Sequence, residues 1–172
     1  MGSPPREGHF FLLPVEPGQY GVGLVVRAPR RGGILLGYFF GPRRTRAPEP
    51  SWMESRNPAQ AVFVARFRDK ALFQGLWPLV SHWPHFDRRH WPVPAFHRFD
   101  GSVTLSPGAS LVTDWRVEYG DDNLITPVDE RPALAADLRL GDDTVYDPRS
   151  LCEAVAAKLV AAVPSADDAV WR

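Results

Sequence analysis

The residues best suited to bind a metal ion lie in one short stretch of the chain. Four histidines and one aspartate fall within sixteen residues: His82, His85, His90, His97 and Asp87. Imidazole nitrogens and carboxylates bind zinc at roughly 2 Å when they converge on one point. Prolines at positions 84, 92 and 94 make this stretch extended, and its spacing matches no standard zinc motif. We therefore expect structural or interfacial histidines and no metal ion, with a metal-dependent enzyme as an alternative.

Nucleophilic catalysis has one candidate, the single cysteine Cys152. It lies near the start of a predicted helix, where the helix dipole can lower the pKa of a thiol. Its neighbour Leu151 places it beside the apolar face of that helix, so a packing role is the favoured interpretation. No serine stands in a Gly-x-Ser-x-Gly turn. The residues therefore predict neither an enzyme nor a cofactor.

Arginines near aromatic residues indicate a second alternative, a nucleic-acid-binding module. Guanidinium groups contact phosphates while aromatic rings stack on bases. The arginines concerned are Arg43, Arg44, Arg46, Arg88 and Arg89. Against this, 20 basic and 20 acidic residues give a formal net charge of zero, which excludes a globally basic binder.

The stretch Trp77–Phe99 combines aromatic residues with prolines. Such a segment can form a peptide-binding groove, stack on bases, or cover a sheet and fill its core with rings. Because the chain has six tryptophans that need burial, we expect the segment to fill the core.

Charge is distributed unevenly along the chain. Residues 1–100 carry 14 basic and 7 acidic residues, whereas residues 101–172 carry 6 and 13. The two parts either neutralise each other within the fold or leave an acidic face that steers a basic partner. Candidate contacts for such a partner are Asp114, Glu118, Asp121, Asp122, Asp142 and Asp143.

Length and composition predict one domain over residues 1–172. One cysteine excludes an internal disulfide, and no apolar run reaches the roughly 18–20 residues that span a bilayer. The first residues lack the apolar core of a signal peptide, so we expect a cytoplasmic protein. We also expect a flexible start at residues 1–7 and a Pro/Arg-rich loop at 42–58.

Short apolar runs separated by turns predict a β-rich fold with few helices. Asp69 is a candidate cap for a short middle helix, and Asp147 caps a predicted helix over 148–163 whose apolar stripe packs on a sheet. We therefore predict an α+β fold, a mostly antiparallel twisted sheet or small open barrel carrying both helices. The predicted strands are His9–Pro14, Tyr20–Arg27, Ile34–Phe40, Ala61–Phe67, Leu111–Tyr119 and Leu124–Val128.

The order of glycine and aromatic motifs resembles the immunity protein 26 family of bacterial polymorphic toxin systems. The resemblance extends over about residues 7–120. The matching segments are Gly8–Pro14, Gly18–Val25, Leu36–Phe40, Phe63–Phe67, Leu72–Pro78 and Trp91–Phe96. It implies a non-enzymatic antidote that binds and blocks a cognate toxin protein, without indicating which residues bind it.

Overall fold

The structure is a computed structural model that describes residues 4–31, 33–106 and 109–161. Its chain begins with three strands, β1 (His9–Glu16), β2 (Gln19–Arg27) and β3 (Ile34–Arg44). A short helix α1 (Pro50–Glu54) and a 3₁₀ turn (Pro58–Gln60) lead to β4 (Phe63–Arg68), α2 (Lys70–Phe73) and β5 (Leu79–His82).

The second half of the chain begins with a 3₁₀ turn at Arg88–His90. Two long strands, β6 (Phe96–Ser106) and β7 (Ala109–Glu118), precede the short strand β8 (Asp129–Pro132). A 3₁₀ turn at Asp137–Arg139 then leads to the last elements, which are β9 (Gly141–Asp142), β10 (Val145–Tyr146) and α3 (Pro148–Ala161).

The strands form two open sheets, and the α+β prediction is confirmed. The first sheet has six strands in the order β10-β4-β3-β2-β1-β5, and the second has four in the order β8-β7-β6-β9. Pairing is antiparallel except where β10 joins β4 and β9 joins β6. The segment from β9 to β10 thus connects the two sheets.

The six-stranded sheet is buried on both faces, which explains why its strands are apolar at nearly every position. One face, with Phe11, Phe39 and Phe67, packs against Leu151 and Val155 of α3. The opposite face, with Phe10, Leu24 and Phe40, packs against the aromatic stretch and the second sheet; its partners include Trp91, Phe96 and Val117.

The Trp77–Phe99 stretch fills the core, as predicted. Trp77, Trp91 and Phe96 are buried. The Trp91 ring packs edge-on against Tyr38 at 5.2 Å, and the Tyr38 hydroxyl donates to the carbonyl of Pro92 at 2.7 Å. The chain is extended only in part, because it makes a 3₁₀ turn at Arg88–His90, and Phe99 at its end is exposed rather than buried.

Glycines inside β2 have separate roles. The pairing of β2 with β3 shifts register between Tyr20 and Val22, which places a bulge at Gly21. Gly23 lies under the Phe11 ring, because a Cβ there would approach Phe11 Cζ to 2.2 Å. Its small size therefore lets an aromatic ring lie directly on the strand.

Two boundary predictions need correction. The predicted loop at 42–58 is a loop only in part: β3 continues to Arg44, and α1 forms because Trp52 and Met53 are buried in the core. The predicted strand Leu124–Val128 is wrong. The amides of Ile125 and Thr126 instead donate to the Asn123 side chain, which makes a turn, and β8 pairs with β7 after it.

The predicted C-terminal helix is present as α3, and its cap is confirmed. The Asp147 carboxylate accepts hydrogen bonds from the amides of Arg149 at 2.8 Å and Ser150 at 3.0 Å. Asp69 precedes α2 but makes no side-chain capping bond. Positions 1–3 of the predicted flexible start and positions 162–163 of the predicted helix lie outside the described residues.

Candidate partner-binding surface

The basic and acidic parts of the chain pair extensively within the fold. Asp121 accepts from Arg27 at 2.7 Å, and Asp122 lies 3.2 Å from Arg88. Arg98 contacts Glu130 at 2.6 Å. Opposite charges from residues 1–100 and 101–172 therefore meet both within the second sheet and where the turn after β7 reaches β2 and the 3₁₀ turn at Arg88–His90.

The six candidate acidic residues divide by exposure. Asp143 is buried against Arg66 and accepts from the Tyr119 hydroxyl at 2.8 Å, so it holds the fold together. Asp114 bonds to His97 at 2.7 Å and Glu118 to Arg116 at 2.7 Å, and both keep part of their surface open. The remaining three are exposed: Asp121, Asp122 and Asp142.

Large exposed apolar side chains are concentrated in the same part of the chain as these acids. Eight large hydrophobic residues are exposed among the described residues, and five of them lie between positions 99 and 138. These five are Phe99, Ile125, Val128, Leu134 and Leu138. Contiguous exposed apolar patches mark interaction sites more often than singly scattered apolar residues do.

Strand pairing and backbone hydrogen bonds bring three of these apolar residues, Phe99, Val128 and Leu134, close to the acids. Phe99 is the cross-strand partner of Asp114, and the amide of Ala133, beside Leu134, donates to the Asp114 carbonyl at 2.8 Å. Further along β7, the Val128 amide donates to the Glu118 carbonyl at 2.8 Å. We name this outer side of β6, β7 and β8, with the turns after β7 and β8, the second-sheet surface.

A buried carboxylate fixes the turn that carries Leu134 and Leu138. Asp137 accepts from the Leu134 amide at 2.9 Å, from Arg131 at 2.8 Å and from Arg116 at 3.2 Å. These bonds, led by the Leu134 amide, lower the pKa of Asp137 from 3.8 to about 2. These hydrogen bonds fix the turn from which the two exposed leucines extend into solvent.

Sequence reasoning missed Asp137. Its two arginine partners are 21 and 6 residues away along the chain, and no local motif marks it. The sequence also did not show which apolar residues are exposed, because a single Leu or Val in a turn can be either buried or exposed in the fold.

The histidines lie in different parts of the fold. His82 on β5 packs against His9 with ring centroids 5.0 Å apart, whereas His97 on β6 bonds to Asp114. His85 is exposed, and His90 ends a 3₁₀ turn. Within the described ranges, no group of three or more His, Cys, Asp or Glu side chains is placed to hold a metal ion.

Four of the five arginines proposed for nucleic acid are engaged by the protein itself. Arg43 pairs with Glu16, and Arg89 with Asp87 at 2.7 Å. The Arg44 guanidinium lies 4.1 Å from the centre of the Trp52 ring, and Arg88 bonds to Asp122. Arg46 is exposed. This arrangement does not favour a continuous basic binding face.

Cys152 lies half-buried on α3. Burial raises the pKa of its thiol, which disfavours the thiolate that nucleophilic catalysis needs.

Among the helices that the structure describes, none is long and apolar enough to cross a membrane.

Comparison with known families matches residues 6–105 to immunity protein 26. The chain belongs to the immunity protein 26 family. No curated protein and no solved structure matches it.

The immunity protein 26 match covers a defined part of the fold. It contains β1 to β5, which are all strands of the six-stranded sheet except β10. It ends within β6, so four of the five apolar residues of the second-sheet surface, and all six candidate acids, follow the matched region. The family match and the second-sheet surface are therefore carried by largely separate parts of the chain.

Proposed function

We propose that this immunity protein 26 family member is a non-enzymatic inhibitor. It binds a cognate polymorphic toxin in the cytoplasm of the producing bacterium and blocks the toxin's activity. The observation that carries the proposal is the second-sheet surface, where exposed apolar groups stand beside acidic ones. That combination supports a protein partner, because apolar anchors supply affinity and the surrounding charges supply orientation.

Neutralisation requires tight binding. A nanomolar complex corresponds to about −12 kcal/mol, and a stable interface buries roughly 1,600 Å² in total. In the proposed complex the anchors are Phe99, Leu134 and Leu138, which are exposed and aliphatic or aromatic. Each loses little conformational freedom on binding when its backbone is already fixed, as Asp137 fixes the backbone of Leu134.

The charges favour a basic toxin surface. Asp114, Glu118, Asp121, Asp122 and Asp142 remain the proposed charged contacts, and Asp143 is assigned to the interior. Carboxylates at the rim of an interface raise the association rate of a basic partner more than they raise its final affinity.

Co-expression tests this function directly. The toxin domain encoded by the adjacent upstream gene is expressed in a sensitive host, with and without this protein. We expect growth arrest from the toxin alone and restored growth when both are present. Growth arrest that persists at equal toxin levels would contradict the proposal.

A further inference from the structure

A groove of about 370 Å³ lies where the two sheets meet, and it adjoins the second-sheet surface at the turn after β8. One wall is the start of β4 with the residues before it, and the other is the segment that enters β6. The lining includes Val62, Val64, Ala95, Arg139, Leu140 and Lys158.

The groove forms because the segment from β9 to β10 passes from the second sheet to the six-stranded sheet. β10 pairs with β4 only at Arg66 and Phe67, while β9 pairs with β6 at Phe96 and His97. A Cβ on Gly141 of β9 would lie 3.7 Å from the Val64 carbonyl oxygen, so the two walls are close at this end. Within the described residues, Phe63 and Val64 have a strand partner only on the β3 side.

This open edge differs from the outer edge of the second sheet, although β5, the far edge of the six-stranded sheet, also lacks acidic, Lys, Arg and Pro residues. β8, the edge of the second sheet, has the sequence Asp-Glu-Arg-Pro, and charges and proline at an edge prevent the addition of another strand. The open part of β4 and the two residues before it read Ala61-Val62-Phe63-Val64, with neither charge nor proline. An uncharged edge at the wall of a groove suits an added strand.

The groove is also positively charged. Arg139 and Lys158 are the charged side chains of its lining, and both are exposed. Neither takes part in the ion pairs found among the described residues, although most other arginines of the fold do. Cations that lack an ion-pair partner within residues 4–31, 33–106 and 109–161, and that lie beside an apolar wall, are complementary to an occupant that carries carboxylates.

We infer that this groove receives an extended, carboxylate-bearing segment of the toxin, which adds as a strand to the free edge of β4. The inference rests on the proposed function and gives the complex a second contact of opposite sign. Main-chain hydrogen bonds to β4 hold the segment, apolar side chains fill the groove, and its carboxylates pair with Arg139 and Lys158. A toxin presenting a basic face and an acidic strand would satisfy both surfaces together.

Charge reversal in the groove tests this inference with the purified full-length protein and the purified toxin domain. We expect the double variant Arg139→Glu/Lys158→Glu to bind the toxin at least about tenfold more weakly than the wild type. The matched control is Arg46→Glu/Lys70→Glu, which reverses two exposed cations outside the groove and should bind as the wild type does.

Steric filling supplies a second variant that changes no charge. Ala95→Trp places a large ring in the groove, and we expect a similar loss of affinity, whereas Ala59→Trp in the exposed 3₁₀ turn should leave affinity unchanged. Circular dichroism of each variant shows that it is folded. In the wild-type complex, the amides of residues 61–65 that do not already donate to β3, as Val62 does to the Phe39 carbonyl, should exchange at least about tenfold more slowly as the new strand forms.

The outcomes separate the groove from the function. Wild-type affinity and rescue in both folded groove variants would overturn this inference and leave the inhibitor role standing. No toxin binding by the wild type would overturn both. A dimer in the absence of toxin that the groove variants convert to monomer, measured by sedimentation, would make a second copy of the chain the occupant and would also overturn the inference.

Discussion

Arg66 and Asp143 form an ion pair across the boundary between the two sheets, with each side chain only 4% exposed. Arg66 belongs to β4, and Asp143 lies between β9 and β10. Arg66 also donates to the Leu124 carbonyl at 2.7 Å, and its guanidinium lies 3.9 Å from the centre of the Tyr119 ring. The Arg66 guanidinium thus fixes both the segment from β9 to β10 and the turn after β7.

Breaking this pair should destabilise the protein strongly. Asp143→Asn leaves the Arg66 charge buried without a counter-charge, which costs about 3–5 kcal/mol in comparable sites. The measurement is the free energy of unfolding in urea. The neighbouring control Asp142→Asn alters an exposed carboxylate and should change that free energy by less than about 0.5 kcal/mol.

A second variant separates the buried charge from a packing effect. Replacing both partners, as in Arg66→Met/Asp143→Leu, removes the uncompensated charge and should recover much of the lost stability. Equal losses in Asp143→Asn and Asp142→Asn would show that the buried pair has no special role.

The contact between Gly23 and Phe11 leaves no room for a side chain. Gly23→Ala places a Cβ 2.2 Å from a ring atom of the buried Phe11, so we expect a loss of about 1–3 kcal/mol or more in unfolding free energy. Gly141→Ala is the control, because its nearest neighbour would be at an ordinary 3.7 Å.

Shrinking the opposing ring tests whether the contact itself is responsible. In a Phe11→Leu background, the further substitution Gly23→Ala should cost less than it does in the wild type. An equal cost in both backgrounds would assign the effect to the β2 backbone instead.

Asp137 should make stability depend on pH in the acid range. Its pKa of about 2 in the fold lies below its ordinary value of 3.8, so its stabilising effect is complete at neutral pH and is lost as the pH falls toward about 2. The difference in unfolding free energy between the wild type and Asp137→Asn should therefore be constant above about pH 5 and should become smaller below about pH 4.

Urea unfolding at a series of pH values measures this difference. Arg131→Gln removes one donor to Asp137 and should raise its pKa in the fold, so in that background the difference in unfolding free energy at neutral pH should be smaller and its loss should be complete at a higher pH. A difference that stays constant down to pH 3 would contradict the account of Asp137.

The sequence predicted most of the first sheet because local patterns determine it. The runs that become β1 to β4 are apolar and bounded by glycine or proline turns, and Asp147-Pro148 is a local start signal for α3. The antiparallel α+β class followed from these elements. The division into two sheets could not be predicted from these elements. It depends on where the segment from β9 to β10 pairs, and each of these two strands has only two residues.

The candidate surface was predictable only in part. The acidic excess after residue 100 is visible in the sequence, but which carboxylates are internal depends on partners as distant as Arg66 and Asp143, 77 residues apart. The aliphatic part of the surface, including Val128 and Leu134, becomes apparent only once burial is known.

Exposed acids should govern how fast the toxin associates. Asp122→Lys/Asp142→Lys reverses two exposed carboxylates, and we expect the association rate to fall about tenfold at low salt. The difference in association rate between this variant and the wild type should become smaller at high salt, because screening weakens the electrostatic attraction between the wild type and the toxin.

Stopped-flow mixing at several salt concentrations measures this rate. Glu153→Lys, an exposed reversal on α3, is the control and should associate like the wild type. A double variant with wild-type rates at all salt concentrations would exclude these acids from the interface.

Calorimetric titration of matched leucine variants with the toxin domain tests the central claim most directly. Leu134 and Leu76 are 65% and 64% exposed, but only Leu134 lies on the second-sheet surface. We predict nanomolar binding by the wild type and Leu76→Ser, and binding at least about tenfold weaker by Leu134→Ser. Equal affinity in the two variants would contradict the assignment of the surface, and no binding by the wild type would contradict the inhibitor itself.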